Sequence, residues 1–241
     1  MTSAHPTGGE TGAGAPGATD TVEPDGPEGS PPPTGYRLIT PTEWYRIPLE
    51  SEERRERSVR ALVDRTHPNR DEAAGSRREL RDLLDHLTTR AAAGGGLELH
   101  LSTQTLLGVP LPVSLLVTVE SPDPGESLEI PAELLARGLR RRHPEAEVTV
   151  VALPAGESVR VRREELPKDA EELGYPADRT TVVLTHYLPV PGTGAHLLLT
   201  FSTPLIELAD PLLEMCDAIA ASLLWRRDGD GEAMEKRGAD E

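Results

Sequence analysis

Two apolar runs late in the chain, TTVVLTHYL (180–188) and AHLLLTFST (195–203), limit what it can fold into more than any other feature. Both are rich in β-branched and large aliphatic residues, and both carry apolar side chains on each face of a strand. A strand with two apolar faces is stable only in the interior of a sheet that is covered above and below. The loop Pro189-Val190-Pro191-Gly192-Thr193-Gly194 joins the runs as a hairpin. The segment LIELADPLLEMCDAIAASLLW (205–225) follows, with Leu205, Leu208, Leu212, Met215, Ile219 and Leu223 on one helical face. The sequence thus predicts a central hairpin feeding a closing helix, in which Asp210-Pro211 supplies either a fresh N-cap or a kink.

The upstream chain supplies elements to flank that hairpin. Trp44-Tyr45-Arg46-Ile47-Pro48-Leu49 ends on a proline and suits a short edge strand. Ser51-Glu52-Glu53 opens a helix with a capping hydroxyl and acids in the first turn, and Val59, Leu62 and Val63 form its stripe. Ser76-Arg77-Arg78-Glu79 fits a capping box before Leu80, Leu83, Leu84 and Leu87, and Gly94-Gly95-Gly96 stops that second helix. The period then changes to two, at Leu97, Leu99 and Leu101 and again at Val113, Leu115, Val117 and Val119, which predicts successive strands. A third helix carries Leu134, Leu135 and Leu139 and ends in Arg140-Arg141-Arg142. The runs 148–153 and 158–162, joined by Pro154-Ala155-Gly156-Glu157, read as another hairpin, and residues 164–179 as a surface loop.

Residues 1–34 are rich in Gly, Pro, Thr, Ser and Ala, with Glu10, Asp20, Glu23, Asp25 and Glu28 as the acids and no Lys or Arg. Such a segment buries too little apolar surface to offset its ordering entropy, so it is expected to be a disordered acidic tail. Residues 227–241 read as a charged flexible tail, leaving 35–226 as one domain.

The net charge of −16 opposes binding to duplex nucleic acid and to anionic membrane surfaces. No apolar run approaches the roughly 20 residues of a membrane span. Cys216 is the single cysteine, which is compatible with a reducing compartment, and MTSAHPTGGETGAG lacks the basic and apolar regions of a signal peptide. A cytoplasmic location is the expectation. Only Lys168 and Lys236 are lysines among 25 basic residues, a bias that points to a GC-rich, actinobacterial genome.

The seven histidines include no i, i+4 pair, so no metal site is expected, and no cofactor fingerprint is present. His186 and His196 flank the central hairpin and could face one another across it, as a pH sensor or ligand contact or as ordinary cross-strand neighbours. Trp44 and Tyr45 either line a pocket or anchor the first strand. Arg160, Arg162 and Arg163 with Arg140, Arg141 and Arg142 could form a basic patch for an acidic peptide or phosphate, or be paired with neighbouring acids. Cys216, beside Met215, reads as an inert core thiol. The candidate interaction surface is therefore Trp44, Tyr45, Arg160, Arg162, His186 and His196.

The segments LPAGESVRV (153–161), LPVPGTGAHLLLTFSTPL (188–205) and MCDAIAASLLW (215–225) resemble the sheet core and closing helix of uncharacterised actinobacterial proteins. The order of elements over roughly residues 36–226 is similar, more distantly, to the PsbP and Mog1 fold with its LpqN-like branch. That resemblance implies a binding or accessory protein without a shared catalytic constellation. The lack of a lipobox or signal peptide departs from the secreted, lipid-anchored relatives. The expected fold is of the α+β type, a single antiparallel sheet of about six strands flanked by helices. The expected function is a non-catalytic interaction or accessory module with an unknown protein partner. The alternatives are a small-ligand binder or enzyme with a pocket between the sheet and the helices of 51–92, and a structural or oligomerisation role.

Overall fold

The computed structural model describes residues 31–68, 74–106, 108–121, 129–166 and 180–227. The expected tails at 1–30 and 228–241, and 167–179 of the expected surface loop, lie outside the described residues.

In chain order the elements are β1 (Gly35–Arg37), β2 (Trp44–Pro48), α1 (Glu52–Thr66), α2 (Ala74–Ala93), β3 (Gly96–Ser102), β4 (Thr105–Leu106), β5 (Val109–Pro110) and β6 (Ser114–Glu120). Then come α3 (Ala132–Arg142), β7 (Glu147–Leu153), β8 (Gly156–Glu165), β9 (Thr181–Pro189), β10 (His196–Thr203), a 3₁₀ turn (Ile206–Leu208), α4 (Ala209–Ala221) and β11 (Leu224–Arg226). Seven strands form one sheet in the order β2-β3-β6-β10-β9-β8-β7, and every neighbouring pair is antiparallel. The apolar hairpin β9–β10 lies inside that order and β2 at one edge, as the sequence predicts. The strand count exceeds the expected six by one. Two small ribbons, β1–β11 and β4–β5, stand outside the sheet.

Strand alternation sorts the side chains onto two faces. On one face Val182, Leu184 and Leu188 of β9, Leu197, Leu199 and Phe201 of β10 and Leu115 and Val117 of β6 form a core with Leu212, Leu213, Cys216, Ile219 and Ala220 of α4. Leu199 and Phe201 are fully buried, and each such side chain contributes about 1.5–3 kcal/mol. The opposite face divides. At the β2–β3 end Ile47 and Leu99 pack on Val59, Leu62 and Val63 of α1 and Leu84 of α2. At the β7–β8 end Val148, Val159 and Val161 pack on Ala136 and Leu139 of α3.

Local chemistry sets the helix ends. Ser51 caps α1, its hydroxyl accepting from the Arg54 amide at 3.4 Å. α2 stops where Gly95 takes φ +80°, and Gly96 then passes so close to α2 that a Cβ there would lie 2.6 Å from the Ala91 carbonyl oxygen. Three expectations are corrected. Ser76 is inside α2, which already begins at Ala74, so it is not the cap. Leu134 is 52 % exposed, because Ala136 and Leu139 face the sheet instead. The closing helix ends at Ala221, and Leu224–Arg226 leave it to pair with β1, tethered by a bond from Trp225 Nε1 to the Ala155 carbonyl at 2.9 Å. Asp210 and Pro211 sit in the first turn of α4, where a proline costs no helical hydrogen bond.

Candidate functional site

Register places Arg160 of β8 opposite His186 of β9, and His186 opposite Leu199 of β10, on the face covered by α4. Asp217 of α4 comes down onto that row. Arg160 Nε donates to Asp217 Oδ1 at 2.9 Å and Arg160 Nη2 to Oδ2 at 3.1 Å, while His186 Nε2 lies 2.9 Å from Oδ1. The carboxylate partner requires a proton on His186 Nε2, and Nδ1 lies 3.4 Å from the Ser158 hydroxyl. Burial raises the Asp217 carboxyl, but the bonds from His186 and Arg160 overcome it and hold it below the usual carboxylate range. Two turns toward the start of α4, Asp210 receives Arg162 at 2.8 Å.

Ser158, His186 and Asp217 have the residue types of a nucleophilic triad, but the arrangement serves another purpose. Ser158 is fully buried and His186 1 % exposed, so no substrate carbonyl reaches the hydroxyl. The Asp217 oxygens are also committed to a bidentate guanidinium. The network clamps α4 to β8 and β9.

A second polar cluster lies on the same face at the β2–β3 end, where Arg46 is opposite His100 and Pro48 opposite Glu98. Glu98 accepts from Arg46 and, at 2.9 Å, from His100 Nε2. Burial pushes the Glu98 carboxyl upward, and the bonds from His100 and Arg46 overcome this and hold it at about 2. Nε2 of His100 points at Glu98, and its Nδ1 is buried on the other side of the ring. That Nδ1 has no hydrogen-bond partner, and neither do the buried Tyr36 hydroxyl and Trp44 Nε1. Burial first, and then the Glu98 charge, raises the Tyr36 phenol.

The candidate surface read from the sequence is therefore dispersed. Trp44 is buried in the α4-side core beside Val113 and Leu115, so it anchors β2. Tyr45 packs toward α1 and donates its hydroxyl to the Ser58 carbonyl at 3.1 Å. His186 and His196 do not face one another: their partners across the hairpin are Leu199 and Pro189, and their odd separations along the ladder put them on opposite faces. His196 is buried, and burial lowers its imidazole against an upward pull from Glu120. No basic patch forms from Arg160, Arg162 and Arg163, since Asp217, Asp210 and Glu165 take one each. The space expected as a pocket between the sheet and the N-terminal helices is filled by the Ile47, Leu49, Val59 and Leu99 cluster. An open cleft of about 340 Å³ lies instead between α1 and α2, lined by charges including Arg55, Glu56, Arg81 and Asp85.

Asp217, Glu98 and His100 escape sequence reasoning for different reasons. Asp217 is the single acid in the run MCDAIAA, a signal that existed and pointed to a partner on the sheet. Glu98 and His100 alternate with leucines as any wet strand face does, so nothing local marks them as buried.

Fold and site define an α+β sandwich: one seven-stranded antiparallel sheet with helices on both faces and two polar clusters on the face that α4 covers. No family model matches the chain, and no curated protein matches it. Among solved structures it is similar to LpqN, involved in cell envelope biogenesis of Mycobacterium tuberculosis, with a TM-score of 0.42 and 16% identity, covering 83% of this chain and 86% of that one.

Proposed function

We propose that this chain is a non-catalytic protein-interaction or accessory module. The observation that carries the reading is the β4–β5 hairpin. It projects between β3 and β6 with Leu106 and Val109 paired across its two strands, 52 % and 62 % exposed. Exposed aliphatic residues held in fixed register, outside any core, suit docking to another protein. Topology adds to the patch: β6 starts beside the end of β10, as the 2.7 Å contact between the Ser114 and Ser202 hydroxyls records, and β10 leads to the exposed Ile206 and Leu208. The similarity of the element order over roughly residues 36–226 to the PsbP and Mog1 fold points the same way. An actinobacterial origin and a cytoplasmic location belong to this reading, supported by the arginine bias and by the single, buried Cys216.

The test is affinity capture from the native host with the wild-type chain and with Leu106→Glu/Val109→Glu. A partner should be recovered at near-stoichiometric level by the wild type and lost with the variant. Recovery of a metabolite without a protein would overturn the reading. A small-ligand function is the second reading, favoured by the buried, unpartnered Tyr36 hydroxyl, Trp44 Nε1 and His100 Nδ1 at one corner of the sheet. Native mass spectrometry of the purified chain checks it: a bound small molecule that disappears in His100→Ala supports this second reading, and an unadorned mass rejects it.

A further inference from the structure

We propose that the free edge of β7 takes an extended acidic peptide from another protein as an eighth strand of the sheet. This goes beyond the hairpin surface and stands on separate observations. β7 is the last strand of the order, paired only with β8 among the described residues. Its one charge is Glu147 at the start, paired with Arg160, and from Val148 to Leu153 (VTVVAL) it has neither proline nor charge, the devices that normally guard a sheet edge. The opposite edge, β2, has both Arg46 and Pro48.

Two hydrogen bonds show which backbone groups point outward. Arg140 Nε and Nη2 donate to the Val148 carbonyl at 3.2 and 3.0 Å, so that carbonyl faces away from β8. In an antiparallel ladder the N–H and C=O of one residue point to the same side and alternate along the strand. Val150 and Ala152 therefore also present their N–H and C=O outward, spaced for a pairing strand. Ala152 is exposed and Val150 half-buried.

Charge selects the occupant. Arg140 reaches over the edge from α3, and at about 100° per residue Arg137 lies on the same flank of that helix, one turn earlier. Both side chains are exposed. Two exposed guanidinium groups on this rim attract acidic residues at short range, although the chain as a whole carries −16. A second copy fits less well: paired antiparallel in matched register, it would set its own Arg140 at the far end of the strand and bring Leu153, not an acid, to the rim beside Val148. Antiparallel addition sets the carboxyl end of the peptide beside Val148 and Arg140, so the acids belong at that end. Main-chain pairing supplies the affinity, and the rim supplies the preference.

The experiment is fluorescence anisotropy of the full chain with a labelled probe, a short peptide of alternating Thr and Val that ends in two Asp. The expected result is saturable binding, weakened at least tenfold when the peptide backbone is N-methylated and about fivefold in Arg137→Glu. Val150→Pro removes an outward N–H without touching the β8 ladder. It should abolish binding while the near-ultraviolet circular dichroism stays that of the wild type. If that variant misfolds, the N-methylated probe still decides. Leu106→Glu/Val109→Glu should bind the probe as the wild type does, which separates failure of this edge from failure of the hairpin reading. Equal binding of both probes, or no saturation, would overturn the proposal. So would a concentration-dependent dimer in sedimentation that Val150→Pro dissolves, because the edge would then belong to a second copy.

Discussion

Replacing Asp217 with alanine tests the clamp between α4 and the sheet. The substitution removes the acceptor for Arg160 Nε, Arg160 Nη2 and His186 Nε2 together. His186 is then left almost fully buried with one weak contact to Ser158, and Arg160, 16 % exposed along its side chain, keeps only Glu147 at 3.9 Å. Breaking a fully buried ion pair costs about 3–5 kcal/mol, and an exposed pair about 0–1 kcal/mol. Asp217 is 36 % exposed along its side chain, so water re-enters at one end, and the cost should fall between these limits, at about 2 kcal/mol. For a chain of this size that lowers Tm by about 4–8 °C. Urea denaturation followed by circular dichroism and by tryptophan fluorescence measures it directly. Combining Asp217→Ala with Arg160→Ala should cost less than the sum of the single changes, since the second removes the guanidinium that the first orphans. A single substitution within about 0.5 kcal/mol of wild type, the range of an ordinary surface change, would show that the network contributes no more than a solvated pair.

Glu98 offers a pH test. Its folded value of about 2 lies below the ordinary 4.5, so its stabilisation is complete above the unfolded value and is lost as pH falls through the folded one. Wild type should exceed Glu98→Gln by roughly 3 kcal/mol at neutral pH, and the gap should close between about pH 4.5 and 2; a gap independent of pH would contradict this. Gly96→Ala should destabilise by about 1–3 kcal/mol, because the added methyl meets the Ala91 carbonyl and Leu49 Cδ1 at 2.6 and 2.7 Å; a neutral melting temperature would refute that contact. Burial pushes the Cys216 thiol to about 12, so the native chain at pH 8 should resist a thiol reagent that labels it at once in urea. Rapid native labelling would place that face of α4 outside the core.

The central hairpin was legible because its evidence is compositional. Val182, Val183, Leu184, Leu197, Leu198 and Leu199 cannot all be buried except at the centre of a covered sheet. The edge position of β2 was legible from Pro48. The routing of the chain after Ala221 was not: SLLW continues the apolar period of α4, and only pairing with Gly35–Arg37, distant in sequence, turns it into a strand. The histidines failed for a related reason. Whether His186 and His196 share a face depends on the ladder register, and a shift of one residue reverses the answer. The polar clamps were hidden because each joins residues from different elements, as Glu98 joins Arg46 across 52 positions and Asp217 joins Arg160 across 57. No local pattern encodes such a pair.

Hydrogen exchange of the chain, alone and with the partner recovered by affinity capture, tests the interaction reading most directly. Binding through the apolar hairpin should slow exchange at amides 102–114 and 206–208 and leave the corner around Tyr36, Trp44 and His100 unchanged. Protection confined to that corner, with none at the hairpin, would contradict it.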